Sequence, residues 1–216
     1  MASCTATVPD LSASGDTLYG PRICWQPFVD WAWDAHDFDK GDWDQGFGYH
    51  SVCDVQRPLA RTLNAIWCLN YSAEDYMDES YDRNILQWGG RYVREKIDEL
   101  DARCGDGTYI AFTQWGGWIF VDDWTQLHLG FFYNRAVSER AGVLVHEARH
   151  ASGKGHNDGN NDSSWEYNGA WRWHVAWLAW FAFAGTRTSP AMRTLARQRA
   201  NIILATRFTT PPGFTV

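Results

Sequence analysis

The densest chemistry in the chain lies in the run Val143-Leu144-Val145-His146-Glu147-Ala148-Arg149-His150-Ala151-Ser152-Gly153-Lys154-Gly155-His156. His146 and His150 are four residues apart, which on a helix offsets them by about 40° and roughly 6 Å along the axis, so both imidazoles can reach one metal ion. Glu147 projects from a neighbouring direction and can hold a water on that metal without ligating it. Gly153 lets the chain leave the helix in a turn that most side chains resist, so that His156 can swing back as a third nitrogen ligand. Three protein ligands leave a fourth position open, which separates a catalytic zinc from a structural one. The bland alternative is an amphipathic helix whose histidines are merely exposed or hydrogen-bonded. Val143, Leu144 and Val145 argue against it, because a buried helix start locks ligands in place.

Around this run the sequence offers further candidates. If His156 is not the third ligand, Asp158, Asp162 or Glu166 could supply a carboxylate instead, with Glu166 favoured because it begins a helix. Tyr167 and His174 are candidates by position for stabilising an oxyanion, although packing in a Trp-crowded helix is the favoured account of both. Arg149, between the two histidines, suits a salt bridge or a carbonyl cap better than substrate contact. Asp37 to Asp44 and Asp158 to Asp162 place carboxylates at alternate positions around glycine, so calcium is a second candidate ion, with a solvated turn as the simpler reading.

The elements that must carry these groups can be read from periodicity and punctuation. Residues 1 to 57 look loop-heavy, with short strands at Arg22 to Gln26 and Tyr49 to Val55. Helices are predicted over Leu59 to Asn70 and Tyr81 to Arg103, the second from apolar residues recurring at three- and four-residue steps. Strands are predicted over Tyr109 to Gln114, Trp118 to Asp122 and Gln126 to Asn134. Ser138 is the expected N-cap of the site helix, Glu139 to about Ser152. Two last helices read over Ser163 to Ala184 and from Ser189, with Pro190 at the first helical position, to about Arg207.

HEARHASGKGH, residues 146 to 156, resembles HExxHxxGxxH, the zinc-binding signature of the metzincin metallopeptidases. The order of elements before it is also similar, and the HEARH string followed by a Trp- and Tyr-containing helix is similar to small bacterial proteins. The resemblance implies an α+β, zincin-like fold: a mixed sheet with a long backing helix and an active-site helix, followed by a mainly helical C-terminal part. It implies His146, His150 and His156 as zinc ligands and Glu147 as the general base in peptide-bond hydrolysis. The expectation is one catalytic domain over 1–216, with an N-terminal subdomain over 1–152 and a C-terminal one over 153–216. The departure is the methionine turn that metzincins place beneath the metal. Met192 is the methionine downstream of the motif, and Ser189-Pro190-Ala191-Met192 reads as a helix start.

Composition sets the outer bounds. The 216 residues are 45% hydrophobic and 21% charged, as in ordinary globular proteins. Nineteen Lys and Arg against 26 Asp and Glu give a net charge of −7, the wrong sign for a nucleic-acid partner. The longest apolar stretch, Val175 to Gly185, is too short to span a membrane. The cysteines at 4, 24, 53, 68 and 104 include no CxxC pair, and residues 24, 53, 68 and 104 could form two disulfides in three connectivities. Disulfides imply a secreted or exported protein, its signal removed, with Cys4 a candidate lipid anchor. The expected partner is a peptide or protein substrate.

Fourteen tryptophans support two competing readings. Trp173, Trp177 and Trp180 fall at helical spacing and suit a buried stripe. Trp25, Trp31, Trp33 and Trp43 lie in a Gly- and Asp-rich region where exposed rings could stack on sugar or extended peptide, as in a glycan- or peptide-binding module with a structural zinc or none. A zinc-dependent cell-wall amidase is the third alternative.

Overall fold

The computed structural model describes residues 24–43, 52–54, 57–72, 85–103, 109–114, 124–186 and 188–216, the side chains of 85–88 excepted. Among the described residues, eight helices and three strands follow in the order α1 (Gln26–Ala35), α2 (Lys40–Trp43), α3 (Pro58–Tyr71), α4 (Ile85–Lys96), β1 (Glu99–Ala102), β2 (Ala111–Gln114), β3 (Trp124–Leu127), α5 (Leu129–Tyr133), α6 (Val137–Ala151), α7 (Ala170–Ala184) and α8 (Pro190–Thr206), with a 3-10 turn at Trp165–Tyr167. This is an α+β arrangement with a small mixed sheet and a mainly helical C-terminal part.

Helix α6 is the axis of the molecule. It packs against α3, α4, α7 and α8, and the sheet reaches it through β2. Every residue from Val137 to Ala148 except Glu139 is buried, more than a one-faced surface helix would hide. Gly142 makes the α6 to α7 approach close: a Cβ there would stand 2.5 Å from His174 Cδ2 and 3.1 Å from Trp177 Cδ1. Trp177 seals the same seam by donating from Nε1 to the Ser138 carbonyl at 3.1 Å. Helix α3 is almost as enclosed, and its buried Arg61 donates to the Phe132 carbonyl at 2.7 Å, which anchors α5.

The strands run in the order β1-β3-β2, with β1 parallel and β2 antiparallel to β3. Thr113 on β2 faces Thr125 on β3 in register, and their hydroxyls lie 2.8 Å apart. Alternation along edge strand β2 buries Thr113 towards α6 and exposes Phe112.

Several sequence expectations need correction. Gln26 to Ala35 and Lys40 to Trp43 are helical where loops and a strand were expected; Pro27 near the start of α1 pre-sets a helical φ, and Phe28, Val29 and Ala32 form its buried stripe. The predicted helix from Tyr81 to Arg103 stops at Lys96, because Leu100 donates instead to the His36 carbonyl and Glu99–Ala102 pairs with β3. Being buried on both faces, β1 lacks the alternation that marks a strand. The strand expected over Gln126 to Asn134 ends at Leu127 and turns into α5. Ala136, not Ser138, is the N-cap of α6, and the Glu139 carboxylate accepts from the Ala136 amide at 3.2 Å. The helix expected from Ser163 is broken at Asn168, which takes a left-handed φ of 59°, so α7 starts at Ala170. Helix α8 matches expectation, with Ser189 Oγ accepting from the Met192 amide at 3.2 Å.

Cys24 and Cys53 form a disulfide with a Cα separation of 5.2 Å. Cys68 is buried on α3, and the second of the two expected bridges involves Cys104, which lies outside the described residues. No helix among the described residues is long and apolar enough to cross a membrane. The expected strands at Tyr49 to Val55 and Trp118 to Asp122, and Cys4 and Cys104, lie largely or wholly outside the described residues.

Candidate functional site

The last two turns of α6 present His146 and His150 to an open cleft of about 420 Å³, and the chain beyond Ala151 returns His156 to the same point. Gly153 makes that return with a φ of +80°. One donor atom from each of the three imidazoles lies within 4.8 Å of the others, and His146 Nε2 and His150 Nε2 are 3.1 Å apart. Two nitrogens on a tetrahedral zinc at 2.0–2.1 Å stand about 3.3 Å apart, so the pair is already near ligand spacing.

The outer nitrogens are fixed by the protein. His150 Nδ1 donates to the Lys154 carbonyl at 2.9 Å, and His156 Nδ1 donates to Asp162 Oδ1 at 2.8 Å. Both acceptors hold the proton on Nδ1, so Nε2 is the ring nitrogen that a metal would take. Burial first, and then the neighbouring histidines, hold the His146 pKa well below its ordinary value; burial and His156 lower that of His150. A divalent metal requires neutral imidazole ligands, which the lowered pKa values of His146 and His150 favour, so the residues fit zinc.

Asp162 is fully buried, and its role differs from the carboxylate ligand considered as an alternative to His156. Its Oδ1 holds His156, while its Oδ2 accepts from the Trp171 amide at the start of α7 at 3.2 Å. Asp158 accepts instead from the Thr209 hydroxyl, and Glu166 is exposed. The Trp171 indole stacks on His156 at 5.5 Å and 14° and meets His146 edge-on at 4.2 Å and 61°.

Glu147 is buried one residue along from His146. Thr113 Oγ1 donates to its Oε2 at 2.8 Å. Because that hydroxyl has one proton, Thr125 must donate to Thr113 in turn, giving a directed chain Thr125 to Thr113 to Glu147. Burial pushes the Glu147 pKa up to about 7, against the side-chain and backbone hydrogen bonds of Thr113, which lower it. A carboxyl poised near neutrality can both take and give a proton at physiological pH.

The other candidates sort as follows. Arg149 caps a carbonyl as expected, donating from Nε and Nη2 to Asn168 at 3.2 and 3.0 Å. Tyr167 donates to the Gly155 carbonyl at 2.7 Å and so braces the turn before His156. His174 lines the cleft with neither ring nitrogen hydrogen-bonded among the described residues. Met192 is buried in the first turn of α8 and forms no tight turn of its own. Trp43 is 2% exposed and packs on Phe38 and Phe132, so it is no stacking platform, and Trp31 is half-buried against Phe28. In the expected buried stripe of α7, Trp177 is buried but Trp180 is 45% exposed.

The first acidic segment gathers differently from a calcium loop. Asp39 caps the Gly41 amide at 2.6 Å, and Asp42 joins Glu99 and Asp101 of β1 with carboxylate oxygens within 4.8 Å of one another. Arg103 already supplies a counter-charge there, 2.8 Å from Asp101 and 3.7 Å from Asp42. Burial, then Asp101 and the other carboxylates, raises the Glu99 pKa to about 7.

Sequence reasoning missed Thr113, Trp171 and the supporting role of Asp162. Thr113 is 34 residues from Glu147, and no local pattern links a strand threonine to a helix glutamate. No family model, curated protein or solved structure matches the chain.

Proposed function

We propose that this chain is a zinc-dependent metallopeptidase of zincin-like architecture, with His146, His150 and His156 as metal ligands and Glu147 as general base. The observation that carries the reading is the convergence of one ring nitrogen from each of three histidines beside a buried glutamate at the edge of an open cleft. Zinc bound by this triad would supply Lewis acidity, lowering the pKa of water towards ~7 and polarising a peptide carbonyl.

The chain's own groups do the rest. The Glu147 carboxylate accepts the proton of the attacking water and returns it to the departing amine, and the Thr113 bond keeps Oε2 from rotating away during both transfers. Asp162 and the Lys154 carbonyl hold the two outer imidazoles in one tautomer and orientation. Trp171 walls off one side of the triad from water. The Cys24–Cys53 disulfide fits a protein that works in an oxidising compartment.

The test is metal content alongside hydrolysis. Purified protein should hold about one zinc per chain, Glu147→Ala should keep it while losing cleavage of a peptide mixture, and His146→Ala should lose it. Full zinc stoichiometry in His146→Ala would defeat the assignment.

A further inference from the structure

Beyond the triad the cleft has a wall whose charge the hydrolytic chemistry does not use. Arg135, Arg199 and Arg207 line it together with His174, in a chain whose net charge is −7. Arg199 pairs with Glu139 at 2.8 Å. Arg135 donates from Nη1 to the carbonyl of its own neighbour Asn134 at 2.8 Å, and the Arg207 guanidinium lies 4.8 Å over the Trp171 ring. Three guanidiniums against the Glu139 carboxylate that pairs with Arg199 and the Glu147 carboxylate in the cleft leave this wall with positive charge in excess. Glu147, the carboxylate that lines the cleft, is engaged by Thr113.

His174 points to the same conclusion independently. It is 2% exposed, and neither ring nitrogen has a hydrogen-bond partner among the described residues. A buried imidazole left unsatisfied in a cleft wall is suited to meet a polar group that arrives from outside. Guanidiniums bind carboxylates through two parallel N–H···O bonds, and the gain is largest in a partly desolvated cleft.

We propose that Arg135, Arg199, Arg207 and His174 form a carboxylate-binding subsite, so that the substrate carries a carboxylate close to the bond that is cut. The proposal rests on the metallopeptidase reading for the bond cut, but not for the anion bound. An Asp or Glu side chain and a C-terminal carboxylate share this chemistry; the first makes an endopeptidase with an acidic preference and the second an exopeptidase.

The experiment uses zinc-loaded Glu147→Gln protein, which binds without turnover, and calorimetric titration with three peptide sets. One set is acetylated and amidated with glutamate at each successive position, the second has glutamine in its place, and the third is the glutamine peptide with a free C-terminal carboxylate. At least one carboxylate peptide should bind tenfold or more tightly than its neutral counterpart, and the set that does so names the source. Adding Arg135→Gln should reduce the preference to within about threefold. Equal binding across all three sets, or no binding by any, overturns the proposal. Should Arg135→Gln fail to fold, the peptide comparison decides alone. Parallel digestion by the wild-type protein separates the two ideas: carboxylate preference without cleavage defeats the hydrolase and leaves the subsite, whereas cleavage without preference does the reverse.

Discussion

The Thr113 hydroxyl reaches across from the sheet to the Glu147 carboxylate at 2.8 Å, tying the general-base candidate on α6 to edge strand β2. Both hydrogen bonds from Thr113 favour the charged carboxylate, while burial favours the neutral one. Thr113→Val should therefore raise the Glu147 pKa and move the acid limb of the kcat pH profile upward, with a loss of about 10–100-fold in kcat at neutral pH. Zinc content should not change, and Thr113→Ser should restore the profile. An unshifted acid limb in an otherwise slower Thr113→Val protein would mean that the threonine only packs.

Asp162 acts on the metal through His156. Asp162→Asn keeps the size and one acceptor oxygen but loses the charge that holds Nδ1–H, so zinc affinity should fall by about 10–100-fold, measured by competition with a chelating dye. Stripping zinc from the wild-type protein should lower its stability as well, by about 2.7 kcal/mol where zinc had been present at a hundred times its Kd. Equal dye competition by wild type and Asp162→Asn would remove Asp162 from the metal's support.

His36 predicts a pH dependence of folding unconnected with the site. It is fully buried, and burial lowers its pKa from 6.5 to about 4, with Arg94 adding to the effect and a hydrogen bond to the Ile97 backbone opposing it. Between pH 6.5 and 4 the unfolded chain therefore binds the proton and the folded chain does not. Stability is full above pH 6.5 and falls as the pH drops through this window, by about 3 kcal/mol in all. The stability difference between wild type and His36→Gln, from urea unfolding at each pH, should shrink by about that amount from pH 7 to pH 4. A constant difference would show that the imidazole charges in both states alike.

Gly142 predicts where the helical layer is least forgiving. Gly142→Ala would put a methyl group against His174 and Trp177, and the separation of α6 and α7 would have to increase. A loss of about 1–3 kcal/mol is expected from urea unfolding, with peptide cleavage also impaired because His174 must move. Unchanged stability would mean that the seam is looser than its 2.5 Å approach implies.

The part of this protein that the sequence determined is local and periodic. His146, Glu147 and His150 need only a helix to share a face, Gly153 carries its conformational freedom in its identity, and Ser189-Pro190 announces α8 through capping chemistry that acts within one turn. Helices α3 and α8 were legible for the same reason. Tertiary structure decided what depends on neighbours distant in sequence. Strand β1 looked like the end of a helix because, once paired and buried on both faces, its residues no longer alternate. Asn168 broke a predicted helix because its carbonyl meets Arg149 from α6. Thr113, Asp162, Trp171 and the arginine wall gained their places only when β2, the loop after His156 and helices α7 and α8 closed around one cleft. Single hydrogen bonds and desolvated charges are set by where chains meet, and no pattern along the chain encodes that meeting.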